Sequence, residues 1–228
     1  MNSEKFGIII RIEVRPGCEA QFWSKTSLVI DQIVAEEACV DYFALENETD
    51  SKKFIFYETW TGTKQDLVHA QTERPYRHEY EEALLPLLAR PREIQFNWRL
   101  LRSAVNRADI DEETRGREKF GLFAYFQTKP GCQEEFRNNL YQVLDAMSKE
   151  PTFINFFLLQ DEGDPTKFAI YETWIDRDNF LNVQMKRPYR QHYEEELPRL
   201  LVKPRETQTD WHLLRSVQKV SASSNTSS

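Results

Sequence analysis

The sequence predicts an α+β fold in which two ferredoxin-like units, each with the element order β-α-β-β-α-β, form an α+β barrel by sheet-to-sheet packing. Two observations lead to this prediction. The first is an internal repeat, because KFGIIIRIEVRPGC at residues 5–18 returns as KFGLFAYFQTKPGC at residues 119–132. The second is that each copy shows the same series of strand and helix patterns.

The repeat continues through most of the chain. FIFYETW at residues 54–60 returns as FAIYETW at residues 168–174, and RPYRHEYEE at residues 74–82 returns as RPYRQHYEE at residues 187–195. The spacing falls from 114 to 113 residues between these pairs, so the second copy has lost one residue there. Two copies are too few for a solenoid. We therefore infer duplication of a complete small domain.

The first half of each copy predicts a strand followed by a helix. Residues 6–14 are rich in isoleucine and alternate in polarity, which is typical of a strand, and Pro16–Gly17 closes it with a turn. Residues 19–37 then place an apolar stripe at helical spacing, formed by Phe22, Thr26, Val29 and Ile33.

The second half predicts two strands, a helical region and a last strand. The strands are residues 40–46 and 53–60, a short helix covers residues 63–70, and a longer helix at residues 76–89 is limited or kinked by Pro86. Residues 93–101 form the last strand. Both faces of the third strand are apolar, with Phe54 and Phe56 on one side and Ile55 and Tyr57 on the other. Because such a face needs a cover, we expect the second copy to supply the partner sheet.

These patterns divide the chain into four parts. We expect a first domain at residues 1–103, a polar linker at 104–118, a second domain at 119–217 and a serine-rich disordered tail at 218–228.

The composition excludes several classes of protein. The formal net charge of −7 argues against a general binder of nucleic acid or of anionic membranes. No apolar run approaches the roughly 20 residues that span a bilayer, and the first residues lack the apolar stretch of a signal peptide. The three cysteines have no metal-binding spacing. We expect a reduced, cytoplasmic protein.

One combination of motifs points to a family. The strand end YETW, with Tyr57, Glu58 and Trp60, is followed nine residues after the tryptophan by His69. With the PGC turn and the two ferredoxin-like units, this pattern resembles the antibiotic biosynthesis monooxygenase family, whose members form dimeric α+β barrels. The resemblance implies an intramolecular pseudo-dimer, with further homodimerisation left open.

The resemblance also implies a reaction. The chain is expected to be a cofactor-independent monooxygenase that takes a proton from a quinol-like or anthrone-like aromatic molecule and lets the product react directly with O₂. Neither a cofactor nor a metal is expected. Two alternatives stay open: a cofactor-free isomerase or cyclase that uses the same pocket, and a non-catalytic binding protein.

Candidate catalytic residues lie in the first copy. His69 suits a general base, since an unperturbed imidazole titrates near pH 6.5, while Tyr76 and Arg77 can donate to an oxyanion. Trp60 is a candidate substrate wall, and so is its counterpart Trp174. Structural roles stay open as alternatives. The two tryptophans fit as core aromatics, and Glu58 and Glu172 on the same strands fit as partners of arginine or as caps of a loop.

The second copy differs at the titratable positions. Asn182 stands where the first copy has His69, whereas Tyr189 keeps the place of Tyr76. Asparagine is no general base near neutral pH, although it can hold a water molecule or an oxyanion. We therefore expect Asn182 and Tyr189 to bind substrate, and at most one fully competent site, in the N-terminal half.

Overall fold

A computed structural model describes residues 4–106 and 118–219. The strands are β1 Lys5–Glu13, β2 Cys39–Asn47, β3 Lys53–Thr61, β4 Glu93–Val105, β5 Lys119–Gln127, β6 Phe153–Asp161, β7 Lys167–Ile175 and β8 Glu206–Gln218. The helices are α1 Glu19–Ala35, α2 Lys64–Thr72, α3 Pro75–Leu84, α4 Gln133–Met147, α5 Arg177–Asn182 and α6 Pro188–Leu200, with short 3₁₀ turns at Leu85–Leu87 and Gln184–Lys186.

The element order confirms two ferredoxin-like units. Each repeat runs β-α-β-β-α-α-β, which is the predicted order with the helical region after the third strand divided into two helices. Within each repeat the first strand pairs antiparallel with the third, and the third pairs antiparallel with the second.

The chain forms two compact units whose limits lie inside strands. Unit 1 comprises residues up to Phe96 together with those from Leu214 onward, and unit 2 comprises Asn97–Leu213. The second half of β4 thus belongs to unit 2, where it pairs antiparallel with β6. Likewise, the last residues of β8, from Leu214 to Gln218, belong to unit 1. Each unit therefore contains strand residues from both repeats.

The core of unit 1 lies between its strands and its helices. Phe22, Val29, Ile30 and Ile33 on α1 are buried against β1 and β3, which confirms the apolar stripe that the sequence predicts. On β3, Phe54 and Phe56 join this core. Ile55 and Tyr57 are fully buried on the opposite face of the strand, because successive side chains of a strand alternate.

The turn and the helix starts follow from particular residues. Gly17 and Gly131, after the first strand of each repeat, have φ of 82° and 84°, a conformation that residues with a Cβ rarely adopt. Pro75 and Pro188 occupy the first turn of α3 and α6, where a missing N–H costs nothing. The helix α3 ends at Leu84 and gives way to the 3₁₀ turn that contains Pro86, which confirms this proline as the limit of the helix.

The ends of the strands and helices lie within a few residues of the predicted ends, except for the last strand of the first repeat. β4 continues to Val105, into the predicted linker, and β8 ends at Gln218. Residues 107–117 of that linker and residues 220–228 of the predicted tail lie outside the described residues. The domain limits therefore stay a prediction. Every helix in the described part of the chain is too short or too polar to cross a membrane.

Candidate active site

A cavity of about 410 Å³ lies in unit 1, between the sheet and the helices α2 and α3. Its apolar wall comes from strands and from the buried face of α2, with Ile8, Ile10, Trp60, Leu67, Ile94 and Phe96. Polar groups from β3, α2, α3 and the start of β4 complete it: Glu58, Gln71, Arg77, His78, Glu81 and Arg92. An apolar hollow with a few convergent polar groups is the usual form of a small-molecule site.

A buried carboxyl group stands in the wall of this cavity. Glu58 is only 3% exposed, and its Oε2 accepts a hydrogen bond of 2.7 Å from Nε1 of Trp60. The two residues are two positions apart on β3, so both side chains lie on the face that carries Phe56. In the strand register Glu58 stands beside Ile8 of β1 and Tyr42 of β2. The carboxyl group is therefore held among apolar and aromatic side chains.

Burial dominates the acidity of this group. Desolvation raises the pKa of Glu58 above its ordinary value, because the charged form loses its hydration. The positive charges of Arg77 and Arg92 and the hydrogen bond from Trp60 act in the opposite direction. A carboxylate in this setting is more basic than one in water, while the arginines keep the ionised form accessible.

Arg77 is oriented by a chain of hydrogen bonds. Its Nε donates to Oε1 of Gln71, and Nε2 of Gln71 donates to Oε1 and Oε2 of Glu36 at 2.9 and 3.1 Å. Tyr76 donates its hydroxyl to the same carboxylate, and Arg74 lies 3.8 Å from it. The second arginine of the cavity, Arg92, is paired with Glu81. Both guanidinium groups are thus fixed before any ligand binds.

Unit 2 contains the corresponding cavity, with a volume of about 300 Å³. Glu172 is buried there, its Oε2 accepts a 2.7 Å hydrogen bond from Trp174, and burial raises its pKa. Arg190 and Arg205 hold the places of Arg77 and Arg92. The pair of buried glutamate and tryptophan is therefore common to both repeats.

The structure places His69 outside the cavity of unit 1. Its side chain is 74% exposed on α2, and Nε2 lies 3.5 Å from Oε1 of Glu73, the residue that follows this helix. It lines a shallow surface depression, which shares Val68, Thr72 and Phe96 with the wall of the cavity. Its counterpart Asn182 is exposed at the end of α5 and does not line the cavity of unit 2.

The other predicted residues are divided between the cavity and the core. Arg77 and Trp60 both line the cavity of unit 1, whereas Tyr76 does not. Burial, and after it the hydrogen bond to Glu36, raises the pKa of Tyr76 to about 12. Trp174 and Tyr189 pack in the core of unit 2 but do not line its cavity. The structural reading of Trp174 as a core aromatic agrees with this position.

Sequence reasoning missed several residues of the cavity. Glu58 was interpreted as structural, and His78, Gln71 and Arg92 received no role. One signal was available for Glu58, since period-two alternation puts it on the same face as Trp60. For a metal ion the cavity offers Glu58, His78 and Glu81, but the two carboxylates already accept from Trp60 and Arg92.

A comparison with protein-family models shows to which family the chain belongs. The family model described as "Antibiotic biosynthesis monooxygenase" matches twice, at residues 5–85 and 120–195. The chain belongs to the antibiotic biosynthesis monooxygenase family. Both matched segments contain the buried glutamate and tryptophan and the arginine of the third or sixth helix, so each repeat is a family domain.

Two curated relatives match part of the chain. An uncharacterised protein of Synechocystis is 34% identical over 84 residues, which are 37% of this chain and 56% of that protein. A protein of Pestalotiopsis microspora, named a "putative monooxygenase", is 32% identical over 80 residues, which are 35% of this chain and 67% of that protein. The match thus spans about half the length of the first relative and two thirds of the second.

Solved structures share the duplicated antibiotic biosynthesis monooxygenase fold over nearly the whole chain. A protein of Fusobacterium nucleatum, titled a "putative monooxygenase", has a TM-score of 0.81 at 14% identity, and the match covers 96% of both chains. A structure titled "anthrone oxidase-like protein" has a TM-score of 0.64 at 12% identity and covers 95% of this chain and 94% of that one. At these identities the likeness shows the fold alone.

Proposed function

We propose that unit 1 carries the site of a cofactor-independent monooxygenase that acts on a quinol-like or anthrone-like aromatic molecule. The site takes a proton from the substrate, and the resulting anion reacts directly with O₂. The observation that carries the proposal is the desolvated carboxyl group of Glu58 in the wall of an apolar cavity, between Trp60 and two arginines.

The cavity suits a flat apolar substrate. Its volume of about 410 Å³ lies within the range of small-molecule sites. Ile8, Ile10, Ile94 and Phe96 supply apolar surface, and Trp60 supplies an aromatic wall. Burial of the substrate's apolar area supports binding, while the few polar groups at one side orient its oxygen atom.

We place the proton acceptor at Glu58 rather than at His69. Glu58 lines the cavity, whereas the imidazole of His69 points to solvent. A carboxylate whose pKa is raised by burial accepts a proton from a weak acid at a smaller free-energy cost than an ordinary carboxylate does. The hydrogen bond from Trp60 holds Oε2 of Glu58 and thereby fixes the orientation of the carboxyl group in the cavity wall.

The arginines stabilise the charge that this transfer creates. When the proton moves to Glu58, the negative charge moves to the substrate oxygen, and Arg77 and Arg92 offer charged donors held by Gln71 and Glu81. Preorganised donors of this kind need no reorganisation as the anion forms. Tyr76, which contacts Glu36, acts only as a positioning residue for this network.

The oxidation balances without a further reductant. The substrate carbanion transfers electrons to O₂ and forms a carbon–oxygen bond, which gives a hydroperoxide after protonation. Loss of water then converts the former methylene carbon into a carbonyl group. One oxygen atom enters the product, the other leaves as water, and the substrate supplies all four electrons. His78, which is exposed and also lines the cavity, connects the site with solvent protons.

Oxygen uptake by the full-length chain tests this function. Anthrone serves as the probe, with the spontaneous reaction subtracted and EDTA present. We expect one O₂ consumed for each anthraquinone formed, and a loss of at least about 100-fold in rate for Glu58→Gln, the range typical of a missing general base. Conversion of the probe without O₂ uptake would indicate an isomerase, and binding without turnover would indicate a binding protein; either result contradicts the proposal.

A further inference from the structure

The cavity of unit 2 contains a buried cation with incomplete hydrogen bonding. Arg190 is only 6% exposed and lines the cavity of about 300 Å³. Its Nη2 donates to the sulfur of Met147 at 3.6 Å, and a thioether is a weak acceptor. Its Nε has no hydrogen-bond partner among residues 4–106 and 118–219. A buried guanidinium group in this state is costly unless something else accepts its hydrogen bonds.

The equivalent arginine of unit 1 shows what is missing. Arg77 donates its Nε to Oε1 of Gln71. Gln184 holds the place of Gln71, but its Nε2 donates to Asn179 at 3.1 Å, and its buried Oε1 has no partner within the described part of the chain. Arg190 therefore lacks the glutamine acceptor that Arg77 has, and neither its Nε nor Oε1 of Gln184 has a hydrogen-bond partner among the described residues.

Arg190 lies over the rings of Phe180 and Tyr189, at 5.9 and 5.7 Å from their centroids, and these contacts compensate its charge without accepting a hydrogen bond in the plane of the guanidinium group. Arg205 donates to both carboxylate oxygens of Glu194 at 2.8 Å, so its charge is balanced. The remaining carboxyl group is Glu172, whose pKa is raised by burial and lowered chiefly by the charge of Arg190, so the two groups interact electrostatically. Glu172 accepts its hydrogen bond from Trp174, and Nε of Arg190 has no acceptor within the described residues.

The walls indicate the rest of the ligand. They are mainly apolar, with Leu122, Val143, Leu144, Met147, Ile170 and Phe180. Thr207 and Thr209 stand at the edge, where unit 1 has Ile94 and Phe96. A volume of about 300 Å³ is at the lower end of small-molecule sites, which fits one or two rings.

We propose that the cavity of unit 2 is a binding site for a small apolar monocarboxylate whose carboxylate accepts hydrogen bonds from Arg190. The planar guanidinium group matches a carboxylate in shape and charge, which a point-like cation does not. The apolar body of the ligand lies against the side chains of α4 and β5. This site lies in the other repeat from the proposed oxygenase site and does not depend on its activity.

Calorimetric titration of the full-length chain with 2-naphthoate tests the proposal. We expect saturable binding that Arg190→Met weakens by about tenfold or more, since a hydrogen bond to a charged group contributes about 1.5–3 kcal/mol. The control variant His69→Ala, at an exposed position that lines neither cavity, leaves this affinity within about twofold. The neutral analogue 2-naphthalenemethanol binds at least about tenfold more weakly than 2-naphthoate.

A second variant keeps the test informative if Arg190→Met fails to fold. Ala124 lines the cavity on β5, and the first repeat has Ile10 at the same place, so Ala124→Ile is compatible with the fold. The added side chain fills part of the cavity and lowers the affinity for 2-naphthoate. Absence of binding at millimolar 2-naphthoate, equal binding of the neutral alcohol, or unchanged affinity in both unit 2 variants would overturn the proposal.

Discussion

The two cavities of this chain share a buried framework and differ in how their arginines are held. Each has a glutamate that accepts a 2.7 Å hydrogen bond from the tryptophan two residues later on the same strand. In unit 1 Nε of Arg77 donates to Gln71, whereas in unit 2 Nε of Arg190 has no partner within the part of the chain that the structure describes. The same fold therefore presents a preorganised donor in one repeat and an unsatisfied donor in the other.

This difference suggests how duplication separates functions. Each buried glutamate, Glu58 or Glu172, needs its tryptophan, because a buried carboxyl group without a hydrogen-bond donor would cost free energy of folding. Other residues near the glutamates differ between the repeats: the buried Tyr42 beside Glu58 is Phe156 beside Glu172, and the exposed His78 is Gln191. We infer that unit 1 retains the chemistry and unit 2 retains a binding cavity.

After substitution of Glu58 itself, the largest effect is expected for the tryptophan that contacts this glutamate. Trp60→Phe removes the N–H donor to Glu58 and keeps an aromatic ring in the wall. We expect kcat/KM for anthrone oxidation to fall by about 10- to 100-fold, since hydrogen bonds to charged groups contribute about 1.5–3 kcal/mol. Trp174→Phe is the matched control and should change kcat/KM by less than about threefold. Equal losses in the two variants would remove the distinction between the cavities.

A smaller effect is expected for the glutamine that orients the arginine. Gln71→Met removes the acceptor of Arg77 and the donor to Glu36, and we expect a loss of about 1–3 kcal/mol in the free energy of unfolding. Gln184→Met removes only the bond to Asn179, so its cost should be about 1 kcal/mol or less. Urea unfolding of both variants measures the difference, and a larger loss for Gln184→Met would contradict the contrast.

The pH dependence of stability gives a further comparison. Because burial raises the pKa of Glu58 in the folded state, its contribution is fully present below the unfolded pKa of about 4.3 and is lost as the pH rises through the folded value. Glu58→Gln should therefore gain stability relative to the wild type as the pH rises from about 4 to 8. Glu172→Gln should behave alike, since its pKa moves in the same direction. A constant difference across this pH range would show that burial does not perturb these groups.

The smallest effect is expected at the histidine that the sequence favoured. His69→Ala should leave the rate of anthrone oxidation within about twofold and the free energy of unfolding within about 0.5 kcal/mol, because its side chain is 74% exposed. Asn182→Ala is the matched change in the second repeat. A loss of activity confined to His69→Ala would favour the sequence-based assignment over the one proposed from the cavity.

The fold was largely predictable because repetition and periodicity are local signals. The echo of residues 5–18 at 119–132 indicates two copies, and alternation and helical spacing place the elements within each copy. The extension of β4 to Val105 was not predictable in the same way, since that end of the strand gains its hydrogen bonds from β6, which is distant in the sequence.

The candidate site was predictable only in part. Arg77 and Trp60, which the sequence predicted as catalytic and substrate-binding residues, line the cavity, and their roles stay predictions. His69 was expected there because of its chemistry, but Leu67 is the buried residue of α2, and a side chain two positions further along a helix points to the opposite side. The pairing of Glu58 with Trp60 follows from strand alternation, whereas its desolvation depends on neighbours from other strands. Burial of that kind is a tertiary property, and no local pattern reports it.

The most direct measurement of the account is the rate of O₂-dependent anthrone oxidation by Glu58→Gln and Glu172→Gln in parallel, with each variant shown to be folded. If unit 1 carries the chemistry, the first substitution lowers the rate by at least about 100-fold and the second by less than about threefold. Equal losses, or a larger loss for Glu172→Gln, would contradict the assignment of the reaction to the cavity around Glu58.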